Sequence, residues 1–378
     1  MFKSPRFLFT SLMASVAILS SSTIVMAANH ENSTSKDRVE VAFVLDTTGS
    51  MADLIDGAKR KIWSIANTIV DIHPDADIRM ALIGYRDIGD DYVVKPFPMN
   101  KDIQGLYGNL VRFEADGGGD TPEAVNEALN TAVRKLDWDE DSNTQRIIFL
   151  VGDAPPHMDY ANAPQYPEII EVANKKGIII NAVQAGEDSE TRDIWKEIAQ
   201  RGHGRYIPIP QDGGKITIIE TPFDNDIIIL QRRIDETVIP YGSDSEQSEV
   251  RSKMTLKSAA PEAVQVENSK FYAKRSAEKE VITGGGDLVA DVRNDSVALD
   301  KIEEKQLPED LQGLSLAQKQ DYLKEKLAAR AELEQKMALL IKKHDDYIAE
   351  QLKARENAPA KADSFDQVVT ETLREQLK

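Results

Sequence analysis

The sequence predicts an α/β fold, in which a doubly wound, mostly parallel sheet with one antiparallel edge strand precedes a mainly helical C-terminal extension. Three observations lead to this prediction. From residue 38 to about residue 240, short apolar runs alternate with amphipathic stretches, as in strands joined by crossover helices. The second and third apolar runs are separated only by the short loop RDIGD, which predicts a hairpin. Beyond this part the chain is polar, and a long charged helical pattern dominates.

The first 27 residues have the pattern of a secretory signal peptide. Lys3 and Arg6 form a positive start, an apolar stretch follows, and the small residues Val25 and Ala27 predict cleavage after Ala27. An N-terminal membrane anchor is the alternative, although the apolar stretch is short for a membrane span. We therefore expect a periplasmic or secreted protein in which residues 28–37 form a linker.

Composition restricts the partners. The chain has 378 residues, of which 41% are hydrophobic, so it is long enough for a sizeable core. Its net charge of -18 argues against nucleic acid and anionic membrane surfaces as main partners, because both require a basic patch. The absence of cysteine excludes disulfides. No later segment has a long uninterrupted apolar run, so the mature chain is not expected to insert into a membrane.

The first part, residues 38–240, contains the predicted sheet. Val41 to Leu45 is a continuous apolar run, typical of a strand buried on both faces. The apolar residues that follow have helical spacing and predict a helix from Met51 to Ile72. The next predicted elements are strands DIRMALIGY and DYVVKPFPM, a helix from Pro122 to Leu136, strand RIIFLVG, a helix over 164–176, strand GIIINAVQA, a helix from Glu190 to Gln200, strand GRYIPI and a closing helix from Pro222 to Ile239.

Residues 241–313 are polar and weakly periodic, so short helices and loops are expected there. In the extension at 314–378, Ser315 and Gln318 form a capping-box pattern that predicts a helix from Leu316 to Arg355. At ~1.5 Å per residue this helix is on the order of 60 Å long. Its apolar stripe is compatible with packing on the domain and with a coiled coil or partner-docking helix, so oligomerisation through it is one expectation. Ser364 and Gln367 predict the cap of a last short helix.

Three short stretches should meet at one edge of the sheet. They are DTTGS at residues 46–50, GGGDTPEA at 117–124 and FLVGDAPPH at 149–157. In a parallel sheet the carboxyl ends of the strands lie on the same side, where ligands bind. The candidate ligands are carboxylates and hydroxyls: Asp46, Thr48, Ser50, Asp120, Thr121 and Asp153. Such hard oxygen donors suit Mg²⁺, Mn²⁺ or Ca²⁺ rather than Zn²⁺.

These stretches resemble a von Willebrand factor type A (VWA) domain with a metal-ion-dependent adhesion site (MIDAS), of the exported bacterial type. The family signature is Asp-x-Ser-x-Ser, then a threonine from a second loop, then an aspartate from a third. Asp46, Thr48 and Ser50 match the first element, with a threonine in place of the first serine. Thr121 and Asp153 match the other two. The resemblance covers residues 38–240 and implies a Rossmann-like VWA fold.

One departure concerns the second loop. Asp120 directly precedes Thr121, as in a branch of the family with GGGD-x-PE loops. Either side chain can therefore be the loop ligand, and the sequence leaves this open.

The resemblance implies a function. The hydroxyls would bind a divalent cation directly, and Asp46 and Asp153 would bind it directly or through waters. One coordination position would take a carboxylate from a partner protein. We therefore expect a divalent-metal-dependent module for protein binding, adhesion or assembly that acts outside the cytoplasm, without catalysis.

Other interpretations compete with this one. Thr48 and Ser50 can simply cap the following helix, but capping leaves Asp153 unexplained. A phosphatase of the haloacid dehalogenase type requires a second acid where Thr48 stands. Nucleotide hydrolysis has no support, because no phosphate-binding GxxxxGK loop is present. A metal-assisted hydrolase and a structural spacer with a metal-stabilised domain remain alternatives. A hydrolase needs a general base, for which His157 is the candidate. His157 can also contact a partner or hold its own loop.

Overall fold

A computed structural model of the chain describes residues 37–119, 121–160, 164–214, 219–275, 280–355 and 365–378. The predicted signal peptide, the linker up to residue 36, Asp120 and the predicted cap at Ser364 lie outside these residues. Within the described part, no helix is both long enough and apolar enough to cross a membrane.

Six strands form one sheet. They are β1 (Arg38–Asp46), β2 (Asp77–Tyr85), β3 (Val94–Asn100), β4 (Thr144–Gly152), β5 (Ile178–Ala185) and β6 (His203–Ile209). Their order across the sheet is β3-β2-β1-β4-β5-β6. β3 runs antiparallel to β2, and the other neighbouring pairs are parallel. The predicted fold class is confirmed, with the β2–β3 hairpin as the antiparallel edge.

Helices cover the sheet and continue beyond it. Those within the sheet region are α1 (Ala52–Ile72), α2 (Ile103–Val111), α3 (Val125–Lys135), α4 (Tyr166–Lys175) and α5 (Ser189–Arg201). Those that follow are α6 (Asp224–Asp235), α7 (Asp244–Ala259), α8 (Glu262–Lys274), α9 (Leu288–Arg293), α10 (Leu316–Arg355) and α11 (Phe365–Gln376). α2 was not expected from the sequence. α7 and α8, of 16 and 13 residues, stand where short helices and loops were expected.

The sheet is buried on both faces. On β1, Val41 and Phe43 face a cluster that includes α1, α2, α8 and α11, whereas Ala42 and Val44 face a second cluster with α3, α4 and α5. Successive strand residues point to opposite faces, so an uninterrupted apolar run satisfies both layers. The strand is thereby fixed in register, and Asp46 is placed at its carboxyl end.

The helices α3 and α6 are among those that begin later than the sequence predicts. α3 begins at Val125 rather than Pro122, because Glu123 is still in extended pairing with Pro156 of the loop after β4. α6 begins at Asp224 rather than Pro222. The backbone N–H of Thr221 donates to the Asp224 carboxylate at 3.1 Å, and this hydrogen bond forms a turn before the helix. Both corrections move a proline outside the helix that follows it.

The C-terminal helices pack on α1, the helix that follows Asp46. Val369 and Leu373 of α11 are buried in the same cluster as the apolar face of α1. Polar contacts join the same surfaces: Asn67 donates to the Glu267 carbonyl of α8 at 2.8 Å, and His73 Nε2 lies 2.6 Å from the Leu377 carbonyl oxygen. The end of the chain therefore contributes to the core of the sheet region.

The apolar stripe of α10 is largely used inside the chain. Leu333, Met337 and Ile341 are buried in a cluster with α6 and α8. On the same helix the buried Arg330 donates to Asp287 at 2.6 Å and to the Thr237 hydroxyl at 2.7 Å. The stripe from which we expected oligomerisation therefore packs, over these residues, against helices of its own chain.

Candidate metal centre

Asp46 ends β1 as a fully buried carboxylate. One of its oxygens, Oδ1, accepts hydrogen bonds from the Thr48 backbone N–H at 2.9 Å and from the Thr48 hydroxyl at 2.7 Å. The other oxygen, Oδ2, is buried without a hydrogen-bond partner among the described residues. A buried, unpartnered carboxylate oxygen is unfavourable, so this atom marks a place where a cation or a water is needed.

The surroundings of Asp46 disfavour its negative charge. Its pKa is raised to about 7, mainly by burial and also by the nearby Asp153 carboxylate, although the Thr48 hydrogen bonds lower it. A bound divalent cation would reverse this balance, because an adjacent positive charge favours the ionised carboxylate.

Thr48 and Ser50 lie together beside Asp46. Their hydroxyl oxygens are 3.3 Å apart, and Ser50 is exposed whereas Thr48 is buried. Among the described residues, no side-chain hydrogen bond caps the turn at Gly49–Met51 or the start of α1. Capping therefore does not account for these hydroxyls, and Thr48 directs its proton to Asp46 instead.

The glycine-rich loop packs directly against this turn. The Gly49 N–H donates to the Gly117 carbonyl at 3.3 Å, and a Cβ at Gly118 would lie 3.1 Å from the Thr48 Cβ. Gly117 and Gly118 both have positive φ, at 78°, which side chains rarely adopt. The loop thus brings its backbone to the Asp46 turn, and Thr121 is exposed at its end. Asp120 lies outside the described residues.

Asp153 follows β4 at the same edge and is half-buried. Gln211, in the loop after β6, donates from its side-chain amide to Asp153 Oδ2 at 2.6 Å and to the Ser50 carbonyl at 3.2 Å. Gln211 therefore links two of the three predicted stretches. Sequence reasoning missed it, because a single glutamine after a strand carries no signal of its own.

Glu123 is a further acid that the sequence did not single out. It is only 4% exposed, and Oε2 has no hydrogen-bond partner among the described residues. Its pKa is raised to about 9, first by burial and then by the carboxylates of Asp46, Asp87, Asp90 and Asp153. Its position directly after the GGGDTP run could have indicated from the sequence that Glu123 lies near the site. The second stretch thus contributes a buried acid as well as Thr121.

His157 lies inside the loop after β4 and is 6% exposed. Its ring stacks on Tyr160 with centroids 4.0 Å apart, and Nδ1 lies 2.8 Å from Asp159 Oδ1. Nε2 is 3.5 Å from Asp87 Oδ2. The imidazole therefore connects its own loop to the loop after β2 rather than facing solvent.

Comparison with known proteins identifies the sheet region. Residues 40–219 match the family model described as von Willebrand factor A domain. These residues form a VWA domain. They run from β1 through β6, so all strands of the sheet and all three predicted site stretches belong to it.

Two individual matches accompany this family match. A putative ariadne-like RING finger protein of Acanthamoeba polyphaga mimivirus is 32% identical over 214 residues, which cover 55% of this chain and 21% of that protein. Among solved structures, the pilus adhesin SpaC from Lactobacillus rhamnosus GG matches with a TM-score of 0.37 and 13% identity, over 47% of this chain and 29% of that chain. The chain thus spans less than a third of either protein.

The VWA domain supplies oxygen donors of two kinds at this edge. Among the described residues, no three aspartate, glutamate or histidine side chains converge closely enough to hold an ion on their own. The turn at Asp46 adds the hydroxyls of Thr48 and Ser50, and the buried Asp46 Oδ2 lacks a partner. This mixed set fits a hard, partly hydrated divalent cation held by hydroxyls as well as carboxylates.

Proposed function

We propose that the VWA domain is a divalent-cation-dependent protein-binding module that acts outside the cytoplasm, in the periplasm or after secretion. Thr48, Ser50 and Thr121 would supply hydroxyl ligands, and Asp46 and Asp153 would bind the cation directly or through its waters. Whether Asp120 or Thr121 is the loop ligand stays a prediction. When bound, Mg²⁺, Mn²⁺ or Ca²⁺ would supply a positive site for a carboxylate of the partner.

One observation carries this proposal: the unpartnered, buried Oδ2 of Asp46. Thr48 holds the carboxylate in one orientation through its two hydrogen bonds to Oδ1. Burial raises the pKa of this carboxyl, so its ionised form is disfavoured at the edge where open α/β sheets bind ligands. A bound cation would favour the ionised form and give the unpartnered oxygen a partner.

The surroundings of His157 favour binding over hydrolysis. A hydrolase would need a general base within reach of the substrate. His157, the base that the sequence offers, is buried between Tyr160, Asp159 and Asp87. We therefore propose a module without catalysis, in which His157 stabilises a loop.

Partner capture tests the proposal. The purified protein is incubated with a cell-envelope extract in Mg²⁺ or in a chelator, and retained proteins are identified by mass spectrometry. We expect a set of partners that is lost with the chelator and with Asp153→Ala. Thr121→Ala should weaken capture while leaving the melting temperature unchanged. Partners that are retained under all these conditions would contradict a cation-dependent module.

The same experiment separates the spacer alternative. Asp91→Ala is a matched control, because Asp91 is an exposed acid in the loop after β2 that has no proposed role. If chelation lowers the melting temperature but releases no partner, the cation only stabilises the fold. Fractionation of cells with N-terminal sequencing tests the location, with Ala28 as the expected first residue.

A further inference from the structure

Two exposed apolar side chains flank the candidate metal centre. Ile88 is 57% exposed in the loop after β2, and Met158 is 45% exposed in the loop after β4. β2 and β4 are the two neighbours of β1 in the sheet, so these loops lie on either side of the Asp46 turn. Large apolar side chains of this exposure are few in the described residues; the others are Ile229, Leu316, Leu339 and Leu352.

Ile88 is held in a fixed turn. The Asp90 backbone N–H donates to the Asp87 carbonyl at 3.3 Å, and the Asp87 N–H donates to the Asp90 carboxylate at 3.2 Å. Gly89 adopts φ of 112°, which favours glycine. The Asp90 carboxylate also accepts from the Gly118 N–H at 3.1 Å. The turn that presents Ile88 is therefore attached to the glycine loop of the metal centre.

Met158 is held just as firmly. Its sulfur lies 3.7 Å from the Asn126 side-chain nitrogen, which donates to it. Its carbonyl accepts from the Gln165 side chain at 3.1 Å. The preceding residue, His157, donates its backbone N–H to the Glu123 carbonyl at 3.1 Å. Met158 is thus exposed at a position where both its side chain and its backbone are hydrogen-bonded.

A polar network joins the two loops. The Tyr160 hydroxyl donates to Asp87 Oδ1 at 3.0 Å, and His157 Nε2 lies 3.5 Å from Asp87 Oδ2. Ile88 directly follows Asp87, and Met158 directly follows His157. On each loop a buried polar residue, Asp87 or His157, is followed by an exposed apolar one. This is the reverse of the usual distribution, in which apolar side chains are buried and polar ones are exposed.

We infer that Ile88 and Met158 form an apolar docking surface beside the metal centre, and that the partner presents an acidic residue next to a large apolar side chain. This inference rests on the proposed function, because the acidic residue is the one that the cation would bind. The apolar side chain would cover Ile88 and Met158 and remove their surface from water. The network of Asp87, His157 and Tyr160, in which Asp87 and His157 are buried, would hold both loops in place before the partner arrives.

A phage-displayed random peptide library tests this inference. Selections in Mg²⁺ use the wild-type protein, Asp153→Ala, the double variant Ile88→Ser/Met158→Ser and the double variant Leu316→Ser/Leu352→Ser. The last is a matched control, because Leu316 and Leu352 are 45% and 52% exposed on α10. Melting temperature and Mg²⁺ affinity are measured for every variant, and should be unchanged in both double variants.

We expect peptides in which aspartate or glutamate adjoins a large apolar residue. Individual peptides should bind Ile88→Ser/Met158→Ser about tenfold or more weakly than wild type, since two apolar contacts are lost, and should bind the α10 control as wild type does. Acidic peptides without apolar neighbours, insensitive to Ile88→Ser/Met158→Ser, would overturn the docking surface and leave the proposed function standing. Peptides indifferent to Asp153→Ala and to a chelator, or no enrichment at all, would overturn both.

Discussion

Asp46 and Thr48 form an unequal pair in which one carboxylate oxygen accepts both hydrogen bonds from the threonine and the other oxygen accepts none. The geometry fixes the orientation of the carboxylate while leaving Oδ2 buried and available. The arrangement has consequences for stability as well as for binding, because a carboxylate in this position is disfavoured until a positive charge is beside it.

The cation-free protein should lose stability as the pH rises. The pKa of Asp46 is about 7 in the folded state, against 3.8 ordinarily, so between these values the folded chain holds more protons. The free energy of unfolding therefore falls from about pH 4 to about pH 7, by on the order of 4 kcal/mol, and this contribution is level above pH 7. Urea unfolding in a chelator at pH 5 and pH 8 checks this. The difference between the two pH values should be smaller in Asp46→Asn, and an equal difference in both proteins would contradict it.

Gly152→Ala should abolish cation binding. A Cβ at this position would lie 2.3 Å from the Tyr85 hydroxyl and 3.2 Å from Asp46 Oδ2, so the carboxylate or the tyrosine must move. Gly119→Ala is the control, because a Cβ there meets no atom of the described residues within 4 Å. Calorimetric titration with Mg²⁺ should show a lost or strongly weakened signal for Gly152→Ala and a wild-type signal for Gly119→Ala. Wild-type affinity in both would show that the oxygen arrangement at Asp46 is not required.

The ion pair between Arg330 and Asp287 should be critical for the helical extension. Both side chains are buried, and removing one partner leaves an uncompensated charge, which typically costs about 3–5 kcal/mol. Arg330→Met and Asp287→Asn should each lower the free energy of unfolding by that amount. The double variant should lose less than the two single losses combined. Urea unfolding measures all three variants, and additive losses would mean that the two charges do not depend on each other.

Leu373 should anchor the last helix. It is fully buried in the cluster that contains the apolar face of α1, so Leu373→Ala should lower the free energy of unfolding by about 2–5 kcal/mol. Leu352→Ala, at a position exposed on α10, should change it by less than about 0.5 kcal/mol. Chemical denaturation compares the two variants. Equal, small effects would indicate that α11 does not contribute to the core in solution.

The central strands β1, β2, β4 and β5 could be predicted because their apolar runs are nearly continuous. β1 is buried from Val39 to Asp46, as the uninterrupted apolar run in its sequence predicts for a strand covered on both faces. α2 was missed because Gly105 and Gly108 interrupt its sequence, and glycine disfavours helix interiors. α7 and α8 were underestimated for another reason: several of their buried positions are polar, among them Gln247, Lys253, Lys257, Asn268 and Ser269. A hydrophobic period is hard to recognise in a helix where polar side chains occupy several of the buried positions.

The turn at the end of β1 could be predicted from the sequence, whereas the contacts that reach the site from other loops could not. Asp46, Thr48 and Ser50 follow β1 in one short stretch, so the turn that joins them is local. Gln211 reaches Asp153 from a loop far along the chain, and only the tertiary structure brings them together. His157 shows a related limit: nothing in its sequence neighbourhood indicates that the ring is buried against Tyr160.

Calorimetric titration of the chelator-treated protein with Mg²⁺, Mn²⁺ and Ca²⁺ tests the central claim most directly. We expect one cation to bind per chain. Binding should be lost in Asp46→Asn and Asp153→Ala and kept in Asp91→Ala, with the folded state of each variant checked by its melting temperature. If the wild-type protein binds none of the three cations, or if Asp46→Asn and Asp153→Ala bind them as tightly as wild type, the edge of the sheet at Asp46 is not a metal centre.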